Sequence, residues 1–353
     1  MVTLADKISA LLPLANGNPA AMIQLAYMLR KDGQPARAVA LCEEAMTLAS
    51  SDAAIALQGS RFLSNMVPAW HFSIVRDGAR NAAYDAALRR AVRPRSRVLD
   101  IGSGTGLLAM MAARAGAADV VTCEVNPAIA QTTRDIVARN GYQDRVRVIA
   151  KHSDALELQS DLGGKTDILV SEIVSNDLLG EDVLPVHETA VRDFLRPGGQ
   201  VIPARGSVRI ALAEDLRDET LRLGSVSGFD LSPFNKLAQP VRSISAGHER
   251  LNLRGDGVDL FTFDFGTSTV CPPARTSITC RSKGGRANGV VQWIALEMDD
   301  LARYENHPGP GAASCWGVQF YPFARPIDTV PGQEIRICGS HDRRKISIWQ
   351  EAT

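Results

Sequence analysis

The chain has 353 residues, 45% hydrophobic and 22% charged, with 39 Lys+Arg against 39 Asp+Glu. That length exceeds one ordinary domain, and the balanced charge supplies no overall field to draw the protein to nucleic acid or an anionic membrane. Six cysteines without a C-x-x-C pair point to neither a bound metal nor a disulfide framework, and no run approaches the roughly 20 apolar residues of a membrane helix.

The first residues carry Asp6 and Lys7 rather than the apolar core of a leader, so a cytoplasmic protein is expected. Residues 1–64 read as a helical segment. Leu25, Ala26, Met28 and Leu29 form one apolar face, Lys31-Asp32-Gly33-Gln34 a turn, and Ala38, Leu41, Cys42 and Ala45 a second face. The small residues Ala26, Ala38 and Ala45 fall where a tetratricopeptide repeat needs close helix contact. One such repeat is not a stable solenoid, so helices near 4–14 and 52–64 are expected to complete a small bundle. A partner-docking module and a cap packed on the rest of the chain fit this pattern equally.

Residues 65–203 alternate strand and helix signals. His71, Asp77, Arg80 and Tyr84 recur at spacings of six, three and four just before the first strand. That strand ends in Val98-Leu99-Asp100-Ile101-Gly102-Ser103-Gly104-Thr105-Gly106, and a helical apolar pattern follows. A strand, a Gly-rich turn and a helix N-terminus form the first unit of a nucleotide-cofactor fold, with Gly102 and Gly104 letting the backbone approach a ligand. The spacing is neither the G-x-G-x-x-G of NAD sites nor a phosphate loop, and Asp100 before the glycines opposes a pyrophosphate. A ligand with a cationic centre and an ammonium group suits such a turn better.

Residues 120–124 read as the second strand, with Glu124 at its end, where an acid accepts hydrogen bonds from both ribose hydroxyls. A helix over 127–140 stops at Asn140-Gly141. A third strand over 146–150 leads to Lys151-His152-Ser153-Asp154, which makes Ser153 and Asp154 cofactor candidates, the acid for an adenine amino group. After a fourth strand over 167–170 comes a loop with five acids and no Lys or Arg between 171 and 190, including Glu172 and Glu181. The loop follows a strand end where ligands of such folds bind. From 204 to 353 the pattern changes to short alternating segments at 207–211, 260–265, 277–280, 290–296, 317–321, 334–338 and 345–349, separated by Gly/Pro turns. These predict an antiparallel barrel or sandwich.

The glycine turn and Glu124 together resemble motifs I and post-I of class I S-adenosylmethionine (AdoMet) methyltransferases. The His71–Tyr84 pattern and the double-glutamate loop resemble protein arginine methyltransferases, and Glu-Ile-x-x-x-x-Leu-x-Gly-Glu-x-x-Leu-Pro looks nearest the type III branch and its tetratricopeptide-bearing relatives. The fold implied is a Rossmann-like α/β domain followed by an antiparallel β-barrel, preceded here by the helical segment. The cofactor implied is AdoMet, with Arg80 clamping its carboxylate and His71 on its methionine part. Glu172 and Glu181 are implied as the catalytic pair for the guanidinium of an arginine-containing protein or peptide. Gly228-Phe229-Asp230 resembles the signature beside the family's dimerisation arm, which implies a homodimer. The family presents Thr-His-Trp on a barrel loop; Ser314-Cys315-Trp316 is the match here, placing Cys315 and Trp316 at the substrate pocket with a thiol in place of the imidazole. A methyltransferase of another protein nucleophile, of ribosomal-protein type, and an adaptor with a vestigial cofactor site are the alternative readings.

Overall fold

The structure, a computed structural model, describes residues 3–217 and 222–351. The chain opens with four helices, α1 (Leu4–Ala15), α2 (Pro19–Lys31), α3 (Pro35–Leu48) and α4 (Ala53–Ser64). Their ends are chemically marked. Thr3 and Asp6 form a reciprocal capping box, Asn18 and Asp52 accept backbone N–H groups, and Pro19 and Pro35 occupy first turns. The apolar faces close on one another as expected: Leu25, Ala26, Leu29, Ala38, Cys42 and Ala45 are buried in a core that these helices keep to themselves. The bundle meets the rest of the chain where α3 packs on the helix Pro127–Arg139 and where Asn126 Nδ2 donates to the Met66 carbonyl at 2.6 Å.

A short helix, α5 (Trp70–Ile74), and α6 (Gly78–Ala91) lead into the parallel sheet. Its units are β1 (Arg97–Ile101), α7 (Leu107–Arg114), β2 (Asp119–Cys123), α8 (Pro127–Arg139), β3 (Val146–Ile149), β4 (Thr166–Ser171), α9 (Val183–Asp193) and β5 (Leu195–Ile202). The strand order is β3-β2-β1-β4-β5, all parallel, so the order reverses beside β1 and a crevice opens at the carboxyl ends of β1, β2 and β4. Register does the rest. Ile101 pairs with both Cys123 and Ser171, so the next residue of each strand, Gly102, Glu124 and Glu172, emerges at one edge.

The antiparallel half comprises β6 (Arg205–Asp215), the hairpin of β7 (Ser225–Val226) and β8 (Phe229–Asp230), β9 (Arg242–Ile244), β10 (Leu251–Leu253), β11 (Val258–Asp264), β12 (Ala274–Glu297), β13 (Arg303–Glu305), β14 (Val318–His341) and β15 (Ile346–Gln350). The barrel-like sheet runs β10-β6-β12-β14-β15, with β11 on β6, β13 on β12 and β9 on β14. One expectation is corrected. The segments 277–280 and 290–296 are one 24-residue strand, β12, and 317–321 and 334–338 both belong to β14. Gly284 and Gly285 (φ +90° and +91°) signal a turn in sequence, but here they lie between two register shifts in a ladder that continues past them. A single hydrophobic core runs from Val98, Leu99 and Val120 of the parallel sheet to Phe263, Ile294 and Ile337 of the antiparallel one. The helical bundle is separate; the two sheets are not.

Candidate active site

A cavity of about 360 Å³ opens at the crevice, lined among others by Gly102, Ser103, Gly104, Glu124, Glu172 and Glu181, with Trp70, His71 and Arg80. Gly102 has φ +86°, and a Cβ there would sit 2.9 Å from Ile173 Cγ2, so only glycine fits the turn. At Gly104 a Cβ would meet nothing within 4 Å. Its backbone faces open space, held by its N–H donating to Glu124 Oε2 at 3.2 Å, while Glu124 Oε1 accepts from the Asn126 N–H at 2.9 Å.

Asp100 lies beneath the turn, fully buried, and does not line the cavity. Thr122 Oγ1 donates to Asp100 Oδ2 at 2.8 Å and is 2.7 Å from Ser103 Oγ, so the acid supports the glycine loop from below. Burial pushes its carboxyl up to about 7, and Oδ1 has no hydrogen-bond partner among the described residues. Ser153 is buried and lines the cavity beside Lys151 and His152. Asp154 does not. Ser153–Ala155 is a single 3₁₀ turn capped by His152, so adjacent side chains diverge, and Asp154 Oδ2 lies exposed, 3.4 Å from His152 Nδ1.

Arg80 joins two groups that the sequence treats separately. Its guanidinium is buried, Nη2 donating to Glu172 Oε2 at 2.8 Å and Nη1 to Asn81 Oδ1 at 2.6 Å, over the ring of Tyr84. The Tyr84 hydroxyl donates to the Ser171 carbonyl at 2.9 Å, fixing α6 against the end of β4. Glu172 is therefore not a wholly free acceptor for a substrate; one oxygen holds Arg80. Burial raises the Glu172 carboxyl and Arg80 opposes the rise; the Glu181 charge adds to it. Glu181 stands open at the cavity's mouth, its own pKa raised by the surrounding protein. His71 lines the cavity with its ring stacked on Trp70, centroids 3.8 Å apart, and Nδ1 3.0 Å from the Pro68 carbonyl.

The placement of Ser314-Cys315-Trp316 is corrected by the structure: neither Cys315 nor Trp316 lines this cavity. Trp316 is buried, its Nε1 donating to the Val174 carbonyl at 3.1 Å, which braces the loop after β4. Cys315 turns to Asp77, with Glu172 near enough to act on its thiol. Its backbone N–H donates to Asp77 Oδ2 at 3.1 Å, and burial and the Asp77 and Glu172 charges push its thiol far up. Asp77 is the residue the sequence leaves without a role. Its spacing before Arg80 marks a helix cap; its partners on the barrel loop leave no trace in the local sequence. No helix among the described residues is long and apolar enough to cross a membrane.

A family model described as ribosomal protein L11 methyltransferase (PrmA) matches residues 86–202, about a third of the chain and confined to the parallel-sheet half. The arginine N(omega)-methyltransferase of Streptomyces achromogenes subsp. streptozoticus is 36% identical over 278 residues, covering 77% of this chain and 75% of that enzyme. The chain belongs to the arginine N-methyltransferase family. Other members similar to it are protein arginine N-methyltransferase 7 of Oryza sativa subsp. japonica (32% identical, 65% of this chain and 35% of that protein) and of Danio rerio (30%, 79% and 45%). The chain thus spans less than half the length of those two relatives. The fold matches the Trypanosoma brucei PRMT1 enzyme–prozyme complex with AdoHcy (TM-score 0.69, 19% identity, 80% of this chain and 96% of that one) and Arabidopsis thaliana protein arginine methyltransferase 10 (TM-score 0.67, 19% identity, 81% and 93%). As a class I methyltransferase of this family the chain takes AdoMet as cofactor, and the residues present fit it. Glu124 and the open backbone at Gly104 suit a ribose, and Arg80, whose Nε has no partner among the described residues, lines the same cavity.

Proposed function

We propose that the chain methylates an ω-nitrogen of arginine in a protein or peptide. The observation that carries this is one cavity whose lining holds both a cofactor cradle and two carboxylates, Glu172 and Glu181. A guanidinium is protonated at any physiological pH, spreads its charge over three nitrogens and needs carboxylates to orient it. Bound AdoMet supplies an electrophilic methyl group on a sulfonium centre. Glu181 and the remaining oxygen of Glu172 accept charge-assisted hydrogen bonds from the guanidinium, hold one nitrogen toward the cofactor and draw positive charge away from it. Glu181, open to solvent with a raised pKa, accepts the proton that the methylated nitrogen sheds. Arg80 keeps Glu172 in place. An amine acceptor would have to be neutral to react and gains little from two carboxylates, which disfavours the ribosomal-protein reading.

A second substrate reading has its own support: the Streptomyces relative, three-quarters spanned by this chain, is named for arginine and not for protein arginine. Incubation with isotopically labelled AdoMet and either free L-arginine or an arginine-containing basic peptide, followed by amino-acid analysis, separates the two. Label in methylarginine from the peptide supports the first reading, label only in the free amino acid supports the second, and label in lysine or a terminal amine refutes both. The hairpin region adds an assembly expectation. Phe229, Phe234 and Leu237 are exposed beside Gly228-Phe229-Asp230, as an arm that docks on a second copy requires. Light scattering of wild type against Phe229→Asp/Phe234→Asp checks it, a monomer in both refuting the dimer.

A further inference from the structure

Asp77 is the N-cap of α6. Its Oδ1 accepts the Arg80 backbone N–H at 3.0 Å, which fixes the first turn of the helix that carries the Arg80 side chain into the cavity wall. Its Oδ2 is held by the other half of the molecule, accepting from the Tyr304 hydroxyl at 2.6 Å and from the Cys315 backbone N–H at 3.1 Å. Tyr304 stands on the three-residue strand β13, 227 positions from Asp77, and is buried. A carboxylate only accepts, so the phenol donates to Asp77 and accepts from Ser314 Oγ, 2.6 Å away. The Tyr304 ring also packs edge-on against Trp316, centroids 5.3 Å apart, and Trp316 braces the loop after Glu172.

We infer that Tyr304 is a positioning residue for the cofactor site, its hydroxyl acting through Asp77 to hold the first turn of α6 and thereby Arg80. The inference rests on reading the cavity as the AdoMet site but not on the identity of the methyl acceptor. It also gives the thiol at 315 a context. This chain meets the Asp77 carboxylate with a phenol and a backbone amide, both neutral. The groups around Cys315 are Asp77, Arg80 and Tyr84 of α6, Glu172 beyond β4 and Tyr304 of β13. Hydrogen bonds hold the Asp77 carboxyl low, while burial holds the Tyr304 phenol and Cys315 thiol high, so the latch itself carries no proton that moves between pH 6 and 8. A histidine in it would change that.

The test is calorimetric titration of the full chain with S-adenosylhomocysteine at pH 6 and pH 8. Tyr304→Phe keeps the ring and removes one hydrogen bond to an ionised carboxylate, so binding is expected to weaken about tenfold at both values. Because Glu172 and Asp100, both pushed up to about 7, titrate in this window in every variant, each affinity is read against wild type at the same pH. Tyr304→Phe/Cys315→His places a titratable donor beside Asp77 and should regain affinity relative to wild type at pH 6 but not at pH 8, a pattern that a merely structural tyrosine would not produce. Wild-type affinity in Tyr304→Phe overturns the proposal even if the melting temperature falls, and so does a folded double variant without the pH-dependent recovery. Should the double variant not fold, amide hydrogen exchange of Tyr304→Phe decides. Faster exchange confined to the Arg80 turn supports the latch, and unchanged exchange there refutes it. A wild-type chain that does not bind S-adenosylhomocysteine refutes the cofactor reading as well, whereas loss of arginine methylation alone leaves this result standing.

Discussion

The two sheets serve the cavity in different ways. In the parallel sheet each functional group stands one step beyond a strand: Gly102 after β1, Glu124 after β2, Glu172 after β4, brought level because Ile101 pairs with Cys123 and Ser171. The antiparallel sheet places none of its strand residues in the cavity lining and acts at a distance. Tyr304 and Cys315 hold Asp77, Trp316 holds the Val174 carbonyl, and the turn between β14 and β15 reaches back through Arg343 to Glu188 and through Arg344 to Asp182, the neighbour of Glu181. The groups that line the cavity come from one half, and the braces within that half are joined by further ones from the other. Because a single core joins both halves, the bracing need not be chemically strong to be geometrically firm.

The sharpest way to break this division is at the carboxylates. Glu181→Gln keeps size and loses charge, and methyl transfer should fall about 100- to 1,000-fold with cofactor affinity unchanged. Full turnover on arginine substrates in the folded variant would remove Glu181 from the chemistry. Next in size is a pH effect from under the glycine loop. An unfolded aspartate titrates near 3.9, whereas Asp100 in the fold titrates at about 7, so between those values the native state holds a proton the unfolded state has lost. Stability must then fall as pH rises through that window, by about 4 kcal/mol at most for this one group. Denaturant unfolding of the cofactor-free protein at pH 5 and 8 measures it against Asp100→Asn, which should lack that slope; equal slopes would show Asp100 ionised throughout.

Smaller again is Glu124→Ala. The carboxylate both faces the cavity and accepts the Gly104 and Asn126 amides, so its loss should weaken AdoMet binding by about 1.5–3 kcal/mol, read by calorimetry. Unchanged affinity would take Glu124 out of the cradle. The smallest effect is expected from the helical bundle. With its core separate from that of the sheets, deletion of residues 1–64 should leave cofactor affinity within about threefold. A folded truncation that no longer binds would make the bundle part of the site, through the α3–α8 contact.

The local sequence determined a good deal. The end of α8 was legible from Asn140-Gly141, because such a stop is satisfied by its own neighbours. The glycine turn, Glu124, Glu172 and Glu181 were legible as a cofactor and acid constellation, because strand ends in a parallel sheet bring short, separately readable segments to one edge. Tertiary structure alone decided that Arg80 and Glu172 are partners, 92 positions apart, that Asp154 points to solvent while Ser153 points in, and that Cys315 meets Asp77. It also decided that Gly284-Gly285 lies between two register shifts of a continuous strand without ending it. The physical reason is common to all of these: a side chain's charge and reach are written at its own position, but which partner desolvates and holds it depends on the packing of segments that the chain separates.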